Sequence, residues 1–116
     1  MALPRKKKQE YKDHSQLLDV FKFEYTVYDK DTETTRFFVA DVRASSLTEA
    51  KHLVIMALRK SDVNIHEWVR TYHHGRDRSW LREGHKNYFP QVLQTRQFDR
   101  DTYERLLKEE LNSYAV

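Results

Sequence analysis

An α+β fold, with an antiparallel sheet packed by an amphipathic helix and a second helix at the C-terminus, is what this sequence predicts. Three observations carry the expectation. Phe21, Phe23, Tyr25 and Val27 alternate with Lys22, Glu24 and Thr26, the period of two of a half-buried strand over residues 20–28. A second strand is expected over 35–44, after the polar turn Asp29-Lys30-Asp31-Thr32-Glu33. Ser46-Leu47-Thr48-Glu49 then has the form of a capping box, in which a hydroxyl and a carboxylate three residues apart satisfy free amides at a helix start.

In the second strand Phe38, Ala40, Val42 and Ala44 share one face, while Phe37 and Val39 lie on the other. Such a strand is apolar on both sides. The helix after Ser46 aligns Leu47, Ala50, Leu53, Val54, Ala57 and Leu58 on one stripe, which suits it to cover the hairpin. Residues 64–74 fit two patterns. Ile65, Trp68, Val69 and Tyr72 have helical spacing, yet the stretch is rich in strand-forming residues. Because a two-stranded sheet is marginal alone, a third strand is the favoured reading. Residues 75–90 lack a period and read as a long surface loop with at most a short helical turn. A short strand is expected at 91–98. A C-terminal helix is expected over 101–113, with Tyr103, Leu106, Leu107 and Leu111 on one face.

The 116 residues suit one domain, taken as 17–116, preceded by a basic, flexible arm over 1–16. The chain has no cysteine, which excludes disulfides, thiolate nucleophiles and cysteine-ligated metals. No apolar run of membrane-spanning length and no secretory signal pattern are present, so the expected location is the cytoplasm. No glycine-rich phosphate loop or nucleophile elbow occurs either. The net charge of +3 is unevenly spread. Residues 1–14 hold five basic and two acidic side chains, and residues 59–86 hold seven and four. Localised charge of this kind suits an anionic partner.

Two basic groups are therefore candidate nucleic-acid contacts. The arm supplies Lys6, Lys7 and Lys8 beside Arg5. The stretch from 66 to 89 supplies Arg70, Arg76, Arg78, Arg82 and Lys86, interleaved with Trp68, Tyr72 and Trp80. Guanidinium forks match phosphates, and flat rings stack on bases. Tryptophan, tyrosine and arginine also dominate protein interfaces. The same three rings are thus candidate anchors for a protein partner, with the C-terminal helix as a route to a homodimer. The simpler alternative is that Trp68, Tyr72 and Trp80 are core while the arginines form a solvated rim. His73, His74 and His85 would add positive charge as pH falls. Their spacing does not form a two-histidine metal face, so neither a metal nor a cofactor is expected. A metal-independent nuclease could be assembled on paper from His73, His85 and Arg76, but the segment is so rich in these residue types that the assignment carries little weight. No catalytic residue is assigned. The leading expectation is a non-catalytic nucleic-acid-binding accessory protein, ahead of a small adaptor or inhibitor acting through a protein interface.

The hairpin followed by a helix carrying Glu49-Ala50-Lys51 and Ala57-Leu58 is similar to the second half of a double-stranded-RNA-binding domain. That family holds phosphates with lysines at the start of this helix. Here that position reads Ser46-Leu47-Thr48-Glu49, with only Lys51 nearby, so no site residue is carried over.

Overall fold

The computed structural model describes residues 18–84 and 86–114. The strands β1 (Asp19–Asp29) and β2 (Thr34–Ala44) form the expected antiparallel hairpin, with Phe23 opposite Ala40 and Tyr25 opposite Phe38. Asp29 shapes the turn: its carboxylate accepts from the Asp31 amide at 2.9 Å and from Arg36 at 3.0 Å. The helix α1 follows at Leu47–Arg59. Ser46 Oγ accepts from the Glu49 amide at 3.1 Å, as a capping box requires. The reciprocal carboxylate bond differs from that motif. Glu49 accepts at 2.7 Å from the amide of Ser45, one residue earlier than the pattern implies.

Residues 64–74 resolve as strand. The strand β3 (Ile65–Arg76) pairs antiparallel with β1. A four-residue helix, α2 (Trp80–Glu83), interrupts the segment expected to be loop, and Gly84 ends it at φ 77, a conformation that favours glycine. The strand β4 (Gln91–Phe98) then pairs antiparallel with β2, and α3 (Arg100–Tyr114) closes the described chain. The sheet has four strands in the order β3-β1-β2-β4, with the short strand expected at 91–98 at one edge. The fold is α+β.

The sheet is covered on both faces. On one, Phe21, Phe23, Tyr25, Val27, Ala40, Val42 and Ala44 meet Ala50 and Val54 of α1. Phe21 and Phe23 on β1 sit opposite the smaller Val42 and Ala40 on β2, which leaves room for the helix. Leu47 and Ala57, expected on the buried stripe, stay exposed at its rim. On the other face Phe37 and Val39 pack with Tyr103, and Val69, Phe98 and Leu107 border them. Thus α3 lies across the sheet from α1. Only Tyr103 and Leu107 of its expected apolar face are withdrawn from solvent, while Leu106 and Leu111 remain exposed. No described helix is long and apolar enough to cross a membrane.

Candidate functional site

The second face of the sheet carries two polar hubs, one at the middle of β1 and one at the end of β2. Glu24 on β1 is fully buried. One carboxylate oxygen accepts from Arg70 Nε, and the other accepts from the Tyr103 hydroxyl at 2.7 Å. Arg70 also donates to Glu104 on α3. Strands β1 and β3 and helix α3 are therefore joined through one guanidinium. Burial raises the Tyr103 phenol above its ordinary pKa, and the bond to Glu24 raises it further, so it remains a donor.

The other hub is Arg43, near the end of β2 and only 1% exposed. Its Nε donates to the Phe89 carbonyl at 3.0 Å, and one terminal nitrogen donates to the Asn87 carbonyl at 3.1 Å. The other terminal nitrogen reaches Asp77 Oδ2 and Glu83 Oε2, each at 3.3 Å. The guanidinium lies over the Tyr88 ring, 4.5 Å from its centre. Five donors on one planar group match this set, which a lysine could not reproduce. Asp77, Glu83, Asn87, Tyr88 and Phe89 thus gather around a single buried cation. Tyr88 tightens the cluster by donating from its hydroxyl to the carbonyls of Asp77 and Leu18. Burial pushes this phenol up to about 12, which keeps the proton in place. Burial alone would also raise the Asp77 carboxyl, but bonds from Ser79 and Arg43 outweigh it and hold the group below its ordinary value.

The candidate contacts described between 66 and 89 do not share one surface, because those on β3 divide between two faces. Trp68 sits edge-on to Phe23 on the α1 side, with Lys51 Nζ 5.3 Å from its ring, so it belongs to the core border. His73 is on that side too, stacked on Phe21 at 4.8 Å and bonded to Asp19 at 2.8 Å. Tyr72 and His74 stack on each other at 6.4 Å, with Lys22 Nζ 5.8 Å from the Tyr72 ring. Arg70 is held between Glu24 and Glu104. Arg76 pairs with Asp19 at 3.1 Å. Two causes combine: alternation sends neighbouring side chains to opposite sides, and the register shift between Glu24 and Tyr25 puts Trp68, two residues from Arg70, on the other face.

Arg78, Arg82 and Lys86 are different. All three are exposed on segment 77–90, and no carboxylate pairs with them among the described residues. Trp80 opens α2 and is half-buried. Leu81 and Phe89 on the same segment are 63% and 48% exposed. Lys6, Lys7, Lys8 and His85 lie outside the described residues, so the nuclease trio cannot be placed. The attachment point of the arm can be. The Leu18 carbonyl accepts from the Asp77 amide at 2.9 Å and from the Tyr88 hydroxyl at 3.3 Å. The chain preceding Leu18 therefore joins the fold at segment 77–90. Among the described residues no group of three histidine or acidic side chains could hold a metal.

Sequence reasoning missed both hubs. Glu24 and Arg43 occupy positions that normally face solvent on a strand buried on one side. The signal was present in Phe37 and Val39, which lie on the same face. A strand apolar on both sides means both faces of the sheet are covered, and any charge on the second face must then be buried and paired. No family model matches this chain, and neither the curated proteins nor the solved structures hold a significant match to it.

Proposed function

We propose that the chain is a non-catalytic nucleic-acid-binding accessory protein whose contact surface is segment 77–90 together with the basic arm. One observation carries the reading: the arm's attachment point, Leu18, is bonded to the segment that displays the unpaired Arg78, Arg82 and Lys86. Two sequence-distant positive groups are thereby tethered to one end of the fold. Ten residue-to-residue steps link Lys8 to Leu18, a reach of at most about 35 Å. Segment 77–90 is also pre-shaped by Arg43, so it needs little ordering on binding. Arg70 and Arg76, whose charges are already engaged by carboxylates, have no part in this surface.

The test is fluorescence anisotropy with labelled single- and double-stranded oligonucleotides at two salt concentrations. Affinity should fall by orders of magnitude between about 50 and 200 mM salt if six or more phosphates are contacted. Replacing Arg78, Arg82 and Lys86 together with glutamine should weaken binding at least tenfold. It should also flatten the log–log salt slope by about 2–3. Wild-type protein that ignores both probes at low salt would remove the proposal.

The exposure of Leu81 and Phe89 favours a second reading, an adaptor or inhibitor docking a protein partner through the same segment. Association with a partner that survives nuclease and moderate salt, and is abolished by Leu81→Ser with Phe89→Ser, would select it.

A further inference from the structure

We propose that β4 pairs antiparallel with β4 of a second copy of this chain, joining two four-stranded sheets into one of eight. The strand lies at one end of the sheet, with no neighbour on its outer side among the described residues. An edge strand presents outward amide donors and carbonyl acceptors, and an antiparallel twofold arrangement matches the outward donors of one copy with the outward acceptors of the other.

The two edges of this sheet differ in their protection. The pairing of β3 with β1 has three register shifts, and β3 itself carries Glu67, Arg70, Arg76 and three histidines. Irregularities and charges of this kind keep an edge from pairing. The pairing of β4 with β2 has one shift, and the sequence Gln91–Phe98 carries a single charge. That charge, Arg96, is turned back into its own sheet, 3.9 Å from Asp41 and with its guanidinium 5.4 Å from the Phe98 ring centre.

The charge pattern also selects the occupant. In a twofold register centred on Gln94 or on Thr95, Arg96 falls opposite Val92 or Gln94 of the other copy. Like charges never meet, and the remaining side chains are neutral. A second β4 would moreover approach Leu93, which is 42% exposed, and the exposed Phe89 just before the strand. Burying these rather than leaving them in water favours the pair.

The absence of cysteine provides a direct test. A single cysteine can form a disulfide with its own copy only near a twofold axis. Gln94→Cys or Thr95→Cys is expected to give a covalent dimer on mild oxidation, whereas Lys60→Cys on the turn after α1 and Leu111→Cys on α3 are not. Light scattering of the unmodified protein at about 100 μM, in a range where micromolar pairs are populated, should give twice 14.1 kDa. Leu93→Lys with Thr95→Lys should return it to a monomer with unchanged far-UV circular dichroism. If those lysines unfold the chain, the cysteine pattern decides alone. A monomer at that concentration, or a disulfide that forms through Leu111→Cys and not through β4, overturns the proposal.

Discussion

Arg43→Met is expected to destabilise the protein by about 3–5 kcal/mol in urea denaturation, the range seen when one partner of a buried ion pair is removed. The size follows from what loses its partner. Asp77 is 93% buried by its 7% residual exposure and would lose its guanidinium, while the carbonyls of Asn87 and Phe89 would lose a charged donor. Glu83, at 40% side-chain exposure, can turn to water and adds little. Hydrogen exchange should show faster exchange across 77–90 with little change in β1. Nucleic-acid binding should weaken in parallel, since Arg78, Arg82 and Lys86 would sit on a mobile segment. Acid should loosen the same region. Asp77 has a depressed pKa in the folded state, so its contribution is present above the ordinary carboxylate range and is lost as pH falls through the folded value. Arg43→Met should reduce that acid sensitivity only in part, because the bonds from Ser79, the larger causes of the depression, remain. A variant as stable as wild type, with unchanged exchange, would refute the hub.

Arg70→Met should cost about 3 kcal/mol. This is the low end for a broken buried pair, because the arginine side chain is about a third exposed and water can partly replace it. Its loss leaves the Glu24 carboxylate, fully buried, with only the phenols of Tyr103 and Tyr72 as described donors and no cation. It also cuts the tie to Glu104, so α3 should exchange faster at Tyr103 and Leu107. Glu24→Leu added to Arg70→Met should recover much of the loss, since an apolar pair of similar volume suits that setting. Oligonucleotide affinity, measured well below the midpoint of unfolding, should not change. Arg82→Gln is expected to do the reverse, leaving stability within about 0.5 kcal/mol as exposed substitutions usually do, and lowering affinity. A loss of affinity from Arg70→Met at full folding would return that residue to the binding surface.

What the sequence determined by itself was local. Alternation over 20–28 and 35–44 specified the hairpin and its apolar faces, and the hydroxyl at Ser46 specified where α1 begins. These signals are legible because period and capping depend only on neighbours along the chain. The division of segment 66–89 was not legible in the same way. Arg70 and Arg82 look alike in sequence, yet one is clasped between two carboxylates and the other is free in solvent. The difference comes from Glu24 and Glu104, 46 and 34 residues away, and from the helix that covers the second face. Likewise the shape of segment 77–90 rests on an arginine from a different strand. Whether a charge is available to a partner is set by which carboxylates folding brings to it, and only the tertiary structure decides that.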